Sequence, residues 1–386
     1  AEQLETEGKN VIAAINADFF HKNGTPVGIQ IADGVILKNP FIRSVFGLLE
    51  NNWPFIEMLS FRGMLFTEKG SIAIDGINGN RGENDLILFN NYIGVSSNTN
   101  DWGVEVAARY VSQPCVNDTS YLVVISKDNS GEKKGDKEIP GYGIILSGHG
   151  NKGEFLANGF DVGDTLKILL ELPPVEEKII EAVSGAPRII EKGRVKIKKK
   201  KEKLPQSFST TQHPRTAIGY NRNKTRLMFF VVDGRQAEHS IGMSLRELAK
   251  FMLDWDVYEA VNLDGGGSST MYVRGEIVNK PSDAAGERSV TNALVVLCKN
   301  KSDEVKYISI QPKQVQVSQN SSYHFDTKLF DKYFNPLANK KVNWFCDHRL
   351  GKIDETGRFS AANNSAAGYI VIEADGKKDS SYVIIK

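Results

Sequence analysis

The sequence predicts a β-rich α+β domain followed by a small all-β domain. Short β-rich segments are spread over roughly the first 300 residues, with one clearly signalled amphipathic helix among them. From Val305 onward, short alternating segments continue without any helix signal. Because 386 residues exceed the usual size of one hydrophobic core, we expect two domains, residues 1–300 and 301–386.

The predicted strands of the first domain are short apolar or alternating runs between Gly, Asn and charged residues. They are Val11–Ile15, Gly28–Ile31, Ser71–Asp75, Leu86–Phe89, Tyr121–Ile125, Gly143–Leu146, Arg226–Val232, Ala260–Leu263, Met271–Val273 and Ala293–Leu297. Arg274 and Gly275, which follow Val273, indicate the tip of a β-hairpin.

The helix is predicted from Ser244 to about Trp255. Ser244 can cap its N-terminus, and Glu247 stands three residues later, which is the capping-box pattern. The spacing of its apolar residues predicts one buried face, made of Leu245, Leu248, Phe251 and Met252.

This helix and the two strands beside it form a predicted β–α–β unit. The first strand, Arg226–Val232, is followed by Asp233, and the second, Ala260–Leu263, is followed by Asp264. If the strands are parallel neighbours, both carboxylates lie at the edge of the sheet where α/β proteins bind ligands.

The last part of the chain is predicted to be a small β-sandwich of roughly 80 residues. After residues 306–312, its strands are expected at Gln314–Ser318, Tyr323–Phe330, Val342–Phe345, Gly357–Ser360, Tyr369–Ala374 and Tyr382–Ile385. Trp344, expected on a central strand, is the predicted core aromatic residue.

The glycine-rich run after Ala260–Leu263 is the strongest indication of a functional site. Asp264 is followed by Gly265, Gly266 and Gly267 and then by Ser268, Ser269 and Thr270. Glycines allow close backbone approach and positive φ, and their amides can point at an anion. A tight turn is the alternative, but three glycines between an acid and three hydroxyl residues exceed what a turn needs.

Other polar residues follow the ends of predicted strands. Asn16 and Asp18 lie in the segment 15–20, and His239 follows Asp233 by six positions. Four arginines are candidate anion ligands, because the planar guanidinium matches phosphate or carboxylate in bidentate fashion: Arg188, Arg215, Arg235 and Arg288.

Bulk properties and absent motifs exclude several classes of function. The net charge of +1 gives no general argument for nucleic acid, and no apolar run approaches the length of a transmembrane helix. The sequence lacks a P-loop, a Gly-x-Gly-x-x-Gly motif, the Gly-x-Ser-x-Gly of serine esterases and the His-Glu-x-x-His of zinc hydrolases. We expect no cofactor, while a divalent metal is left open.

Taken in order, the motifs at 15–20, 214–219, 231–235, 262–270 and 287–290 resemble the phosphodiester glycosidase family. The resemblance covers about residues 11–298. Asp18 departs from it, since the family usually has Gly at that position, and only ten residues precede Val11 where the family usually has more chain. Residues 305–386 resemble a bacterial immunoglobulin-like domain, a type common in secreted and surface proteins.

The resemblance implies cleavage of a GlcNAc-like sugar from a sugar-1-phosphodiester at the anomeric carbon, in surface or dietary glycans. The arginines, the Gly265–Gly267 amides and the hydroxyls of Ser268 and Ser269 would then hold the phosphate, with Asn16 and Asp18 as further substrate ligands. Asp264 and Asp233 are the candidate catalytic carboxylates and His239 the candidate proton carrier, with their division of roles left open.

Two alternatives are kept: a phosphodiesterase that cuts at phosphorus, and a surface protein that binds polysaccharide without catalysis. In either case we expect an extracytoplasmic chain (periplasmic, cell-surface or secreted) whose signal peptide has been removed. Its expected partners are a phosphodiester-linked glycan and, for the immunoglobulin-like domain, surface glycan or protein. The basic segment Lys192–Lys203 is interpreted as a solvated surface excursion, with binding of a polyanion as the alternative.

Overall fold

A computed structural model of the protein describes residues 10–128, 135–338 and 340–386. It is built almost entirely from β-strands, which confirms the predicted β-rich character. The strands are β1 (Asn10–Asn16), β2 (Gln30–Ala32), β3 (Val35–Lys38), β4 (Ser44–Leu49), β5 (Pro54–Met58), β6 (Arg62–Thr67), β7 (Gly70–Ile74), β8 (Gly76–Ile77), β9 (Leu86–Phe89), β10 (Val104–Tyr110), β11 (Thr119–Lys127), β12 (Gly143–Gly148), β13 (Thr165–Glu171), β14 (Ile179–Gly185), β15 (Arg188–Glu191), β16 (Arg194–Val195), β17 (Arg215–Tyr220), β18 (Leu227–Val232), β19 (Glu259–Asn262), β20 (Met271–Val273), β21 (Glu276–Ile277), β22 (Ala293–Cys298), β23 (Tyr307–Gln311), β24 (Gln314–Val317), β25 (Ser322–His324), β26 (Asp326–Phe330), β27 (Asn343–Cys346), β28 (Gly351–Ile353), β29 (Arg358–Ala361), β30 (Ala366–Ala374) and β31 (Lys377–Ile385).

Helices are few in the described part of the chain. They are α1 (Gly150–Asn158), α2 (Gln206–Thr210), α3 (Leu245–Leu253) and two 3₁₀ turns, Asn91–Ile93 and Gly266–Ser268. No helix among these residues is both long and apolar enough to cross a membrane.

The chain divides into two compact units. The small unit comprises the described residues up to Ala14, Tyr272–Val278 and Val295–Lys386, and the large unit comprises Ile15–Met271 and Asn279–Leu294. The domain boundary between residues 300 and 301 stays a prediction.

Three sheets make up most of the large unit. The first has eight strands in the order β7-β6-β13-β11-β10-β12-β9-β8, and the second has five, β3-β2-β14-β4-β5. The third, which carries the glycine-rich run, has the order β16-β15-β19-β17-β18. A further four-stranded sheet has the order β21-β20-β1-β22, and the predicted hairpin tip joins β20 to β21, with Arg274 and Gly275 both at positive φ.

The predicted β–α–β unit is present, but its strands are not neighbours. Strand β17 lies between β18 and β19 and is antiparallel to both. This happens because β17 and β18 pair as a hairpin before the chain continues through α3 to β19. The two strands still run in the same direction, so Asp233 and Asp264 follow strand ends at one end of the sheet, as expected.

Helix α3 begins with the predicted capping box. The Glu247 amide donates to Ser244 Oγ at 3.3 Å, and the Ser244 amide donates to Glu247 Oε2 at 2.8 Å. The buried face differs from the expectation at one position, since Phe251 is 40% exposed and Ala249 is buried instead. A residue six positions along a helix is rotated well away from the first, whereas positions three and four along share its face.

The third sheet is covered on both sides. Ala217 and Ala260 belong to the apolar cluster that includes Leu248 of α3, while Ile218 and Val261 belong to another cluster with Ile15. Burial on both faces makes β17 and β19 a rigid support for the residues that follow them.

The C-terminal part of the small unit is all-β, as predicted, and contains no helix among its described residues. Its sheets have the orders β23-β26, β24-β31-β30-β27 and β25-β29-β28. Trp344 is not on a central strand, because β27 is at the edge of its sheet, and the fully buried aromatic residues are Phe325 and Phe359. The immunoglobulin-like topology stays a prediction.

Candidate active site

Asp264 is held at the end of the third sheet by contacts with β1. The Asp264 amide donates to Ala17 O at 2.8 Å, and Asn16 Nδ2 donates to Asp264 O at 2.6 Å. Asn16 Oδ1 in turn accepts from Thr216 Oγ1 at 2.7 Å and from the Thr270 amide at 3.2 Å. Asn16, predicted as a substrate ligand, is therefore bonded within the protein and fixes the backbone on both sides of the glycine-rich run.

The Asp264 carboxylate sits in a mostly buried position. Its Oδ1 accepts from the Gly265 amide at 2.9 Å, and the Ser268 hydroxyl also donates to the carboxylate. Burial raises the pKa of Asp264, an effect that the bonds from Ser268 and Gly265 and the charge of Arg288 partly offset. The side chain is thus pre-positioned and only weakly stabilised as an anion.

Guanidinium groups lie against two of the three glycines, while a Cβ on the first, Gly265, would be 2.8 Å from Pro214 O. Gly266 has φ +65°, and a Cβ there would be 3.0 Å from Arg235 Nη2. A Cβ on Gly267 would be 2.2 Å from Arg288 Nη2, so any side chain there would require the guanidinium group to move. The run therefore allows Arg235 and Arg288 to approach the loop that carries Asp264.

The glycine amides are used differently from the anion cradle that the sequence predicted. The Gly265 amide donates to Asp264 itself, and the Gly266 amide donates to Pro214 O at 2.9 Å. Ser268 bonds to Asp264, while Ser269 is buried with its hydroxyl unpartnered among the described residues. The loop positions a carboxylate more than it presents backbone donors.

A cavity of about 340 Å³ opens beside Asp264, at the lower end of the usual range for small-ligand sites. Its walls are Phe19, Pro205, Ser207, Phe208, Thr211, His213, Pro214, Arg215, Arg235, Asn262, Asp264, Gly265 and Gly266. The rings of Phe19 and Phe208 stand 5.9 Å apart at a tilt of 55° and give the cavity an apolar side. Asn262 Oδ1 is buried without a hydrogen-bond donor in the described structure and is available to a ligand.

Two of the four predicted arginines, Arg235 and Arg288, lie near this cavity without being committed to buried partners. Arg235 lines it, with Nη2 3.5 Å from His213 Nδ1. Arg288 reaches the glycine-rich run and is half-exposed, with Nη2 2.7 Å from Asp283 Oδ2. These two side chains are the cations best placed to meet an anionic group.

Arg215 lines the cavity but is committed to backbone carbonyls. It donates to Met243 O at 2.9 Å, to Thr211 O at 2.7 Å and to Phe208 O at 3.2 Å. Burial, followed by the charge of Arg235, lowers the pKa of Arg215 to about 10. Arg215 therefore holds α2 and the loop after it as a wall of the cavity.

Arg188 is placed away from the cavity lining. It donates to Glu259 Oε2 from Nη2 at 2.6 Å and from Nε at 3.1 Å, and both side chains are buried. The structure thus gives this predicted phosphate ligand a buried carboxylate partner at the other end of β19.

Asp233 organises a neighbouring loop. Its carboxylate accepts from Asn279 Nδ2 at 3.0 Å and from the Lys280 amide at 3.0 and 3.1 Å, and His239 Nε2 lies 2.8 Å from Oδ2. Asn279 Nδ2 also donates to Ser269 O at 3.0 Å, which links Asp233 to the glycine-rich run. Asp233 and His239 are together, as expected, but neither lines the cavity.

Asp18 is one of the most deeply buried acids in the large unit, at 2% exposure. Its Oδ2 accepts from the Gly28 amide at 3.1 Å, while Oδ1 has no partner among the described residues. Burial, with a contribution from the charge of Asp264, raises the pKa of Asp18 to about 7 against the bonds from Gly28 and Phe19 and the charge of Arg43.

The basic segment Lys192–Lys203 is anchored along much of its length. Lys196 and Lys198 pair with Glu191, and Lys199 Nζ lies 3.3 Å from Ser209 Oγ. Glu202 is fully buried and accepts from Ser44 Oγ at 2.7 Å and from the Arg188 amide at 3.1 Å. These contacts argue against the interpretation of this segment as a free basic arm that binds polyanions.

Several cavity residues were not selected from the sequence. His213 stands directly before the Pro214-Arg215 motif, and Phe19 directly after Asp18, so both had a local signal. Burial, together with the charges of Arg215 and Arg235, lowers the pKa of His213 and favours a neutral imidazole. Phe208 had no signal, because only folding of α2 brings it to the cavity.

Comparison with known proteins agrees with the motifs. Residues 122–297 match a family described as phosphodiester glycosidase. The human N-acetylglucosamine-1-phosphodiester alpha-N-acetylglucosaminidase is 46% identical over 69 residues, 18% of this chain and 13% of that one. The Bos taurus enzyme of the same name is 33% identical over 122 residues, covering 29% of this chain and 23% of the relative. The matches thus span less than a quarter of these relatives' lengths.

Two solved structures share the fold. A hypothetical protein from Synechocystis has a TM-score of 0.51 at 22% identity, covering 70% of this chain and 49% of that one. A protein of Burkholderia pseudomallei that is named as exported has a TM-score of 0.53 at 20% identity, covering 76% and 66%. The family match over residues 122–297 includes the motifs at 214–219, 231–235, 262–270 and 287–290, so this part of the chain resembles phosphodiester glycosidases.

Proposed function

We propose that the protein is a hydrolase that cleaves a GlcNAc-like sugar from a sugar-1-phosphodiester at the anomeric carbon. The observation that carries this proposal is one partly buried carboxylate, Asp264, at a cavity of about 340 Å³, with Arg235 and Arg288 against the same loop. Glycosyl transfer requires a carboxylate at an oxocarbenium-like centre, and the phosphate requires cations, so the site supplies both needs. The match of residues 122–297 to the phosphodiester glycosidase family supports the reaction class.

The phosphate is assigned to Arg235 and Arg288. A phosphate monoester is a much better leaving group than a sugar alkoxide, so neutralising its charge contributes more than strong protonation. Guanidinium groups can bind two phosphate oxygens at once and remain charged at all relevant pH values. Arg288 would exchange part of its ion pair with Asp283 for this ligand.

We assign the sugar to the cavity, between the rings of Phe19 and Phe208 and the Asp264 carboxylate. Phe19 and Phe208 can cover an apolar face of the ring, and Asn262 Oδ1 can accept from a hydroxyl or an amide N–H. A buried acceptor without a donor favours a ligand that supplies one, because an unpaired buried polar group costs free energy. This selects a hydrogen-bonding sugar over an apolar group.

Isotopic labelling tests the reaction directly. Hydrolysis of a GlcNAc-α-1-phosphodiester in water enriched in heavy oxygen should place the label on the sugar and none on the phosphate. Label on the phosphate would establish the phosphodiesterase alternative, in which the bond to phosphorus is cut. Absence of turnover on a panel of sugar-1-phosphodiesters would leave the non-catalytic binding alternative.

The Arg288→Ala variant should weaken use of the phosphodiester in particular. A hydrogen bond from a charged donor contributes about 1.5–3 kcal/mol, so its loss predicts a roughly 10- to 100-fold lower kcat/KM. Hydrolysis of p-nitrophenyl α-GlcNAc, which carries no phosphate, should change far less. Arg226→Ala, which removes an exposed arginine paired with Asp256, serves as the control. An equal loss on both substrates would contradict a phosphate role for Arg288.

We also infer an extracytoplasmic location and a role of the C-terminal domain in contacting surface glycan or protein. The resemblance of residues 305–386 to bacterial immunoglobulin-like domains supports both inferences. The structural relative from Burkholderia pseudomallei is named as an exported protein, which agrees with the extracytoplasmic location.

A further inference from the structure

We propose that Asp18 and Asp264 form the reacting carboxyl pair of this site, with Asp18 as the proton-carrying acid and base and Asp264 as the nucleophile. This inference rests on the function proposed above and assigns Asp18 a catalytic role in place of substrate binding. The geometry of three neighbouring segments supports it.

The first argument is the way in which the two acids are brought together. Asp264 and Asp18 come from segments that are bonded to each other, because the Asp264 amide donates to Ala17 O at 2.8 Å. Asn16 Nδ2 adds a second bond to Asp264 O at 2.6 Å. The residue after Asp18, Phe19, lines the same cavity as Asp264. Asp18 therefore lies between a residue bonded to the Asp264 backbone and a residue that lines the cavity.

The second argument is the unfinished hydrogen bonding around Asp18. Asp18 Oδ1 and Ser184 Oγ are both buried and both lack a partner in the described part of the chain. A Cβ on Gly28 would lie 1.8 Å from Ser184 Oγ and 3.6 Å from Asp18 Oδ2, so the glycine leaves room for the hydroxyl beside the acid. A buried carboxylate with a bare oxygen would be costly, so these surroundings favour the protonated carboxyl of Asp18.

The third argument is the electrostatic surroundings. The charged and titratable groups that face Asp18 are Asp264, Arg43 and Tyr92. Burial and the charge of Asp264 raise the pKa of Asp18 to about 7, against a smaller opposite effect of Arg43. Burial also raises the pKa of Asp264, but the Ser268 and Gly265 donors and the nearby Arg288 charge lower it and so favour its carboxylate form. Acids whose environments separate their pKa values in this way are suited to different catalytic roles.

The reaction then balances in two steps. In the first, an Asp264 oxygen bonds to the anomeric carbon, the bond from that carbon to the phosphate oxygen breaks, and that oxygen takes the proton of Asp18. In the second, Asp18 removes a proton from water, the water oxygen bonds to the anomeric carbon, and Asp264 leaves as the carboxylate. Asp18 ends protonated, as it began.

Activity measurements test the role of Asp18. Wild-type turnover of a GlcNAc-α-1-phosphodiester should fall as the pH rises through about 7, where Asp18 loses its proton. Asp18→Asn should lower turnover by about 100-fold and abolish this decline. Azide, a nucleophile that needs no base, should restore turnover and yield the α-glycosyl azide. Asp256→Asn, the same change near the opposite end of β19, should alter none of these results.

A stability measurement tests whether the folded protein keeps Asp18 protonated, without relying on activity. The folded protein keeps the Asp18 proton up to about pH 7, whereas the unfolded chain loses it near 3.8, so wild-type stability should fall across this range. Asn cannot ionise, so the melting temperature of Asp18→Asn relative to wild type should rise steadily from pH 4 to pH 7. Parallel melting curves for the two proteins would overturn the proposal.

The outcomes separate this inference from the function on which it rests. A wild-type pH profile and wild-type turnover in Asp18→Asn, with sugar-labelled product, would overturn the role of Asp18 and keep the glycosidase. Label on the phosphate would overturn the glycosidase and, with it, the roles assigned to both acids.

Discussion

The Asp264→Asn variant should lower turnover of a sugar-1-phosphodiester by at least about 100-fold while the fold stays intact. Asparagine has the same size and can still accept the Gly265 amide, but it cannot ionise to attack the anomeric carbon. The contacts that fix this residue, from Asn16 and to Ala17, use its backbone and survive the change. The measurement is kcat on a GlcNAc-α-1-phosphodiester, with thermal unfolding of the same preparation as the check on folding.

The matched control is Asp233→Asn. Asp233 follows β18, which runs in the same direction as β19. Asp233 bonds to Asn279 and Lys280 and contacts His239, so its loss should loosen this loop and lower the melting temperature while retaining much more turnover than Asp264→Asn. Near-normal turnover in Asp264→Asn would remove that residue from the mechanism. A larger loss in Asp233→Asn than in Asp264→Asn would make Asp233 the reacting carboxylate.

Local features of the site were readable in the sequence because they depend on residues close together in the chain. The capping box of α3 needs only Ser244 and Glu247, and the hairpin tip needs only Arg274 and Gly275. The glycine-rich run predicted that another group comes close to the backbone, and the structure shows guanidinium groups against it. Such patterns report local geometry whatever the surrounding fold.

Features that depend on pairing between distant segments could not be derived in the same way. The insertion of β17 between β18 and β19 follows from strand pairing that no local pattern encodes. The bond from Asn16 to Asp264 joins residues 248 positions apart, and it changes Asn16 from an expected ligand into a support. For the same reason, the sequence showed Asp18 and Asp264 as two acids without showing that their segments are bonded to each other.

Arg188 is the most consequential example, and it leads to the second large prediction. Sequence alone made it a phosphate ligand, since nothing local distinguishes a free arginine from one paired with a buried acid. In the structure, Glu259 accepts two bonds from Arg188 and also accepts from the Lys192 amide at 3.1 Å. Removing one partner of a buried ion pair leaves an uncompensated charge and typically costs about 3–5 kcal/mol.

The Glu259→Gln variant should therefore lower the free energy of unfolding by about 3 kcal/mol, the lower end of that range. The smaller value is expected because Glu57 and Glu191 stand 3.7 and 3.6 Å from Arg188 Nη1 and keep part of its charge compensated. Denaturant unfolding measures the change, with Asp256→Asn, which breaks the exposed pair with Arg226, as a control expected to shift stability by less than about 1 kcal/mol. Replacing both partners, as in Arg188→Met with Glu259→Leu, should recover much of the loss, because no buried charge remains unpaired. Unchanged stability in Glu259→Gln, together with a raised KM in Arg188→Met, would instead return Arg188 to the phosphate site.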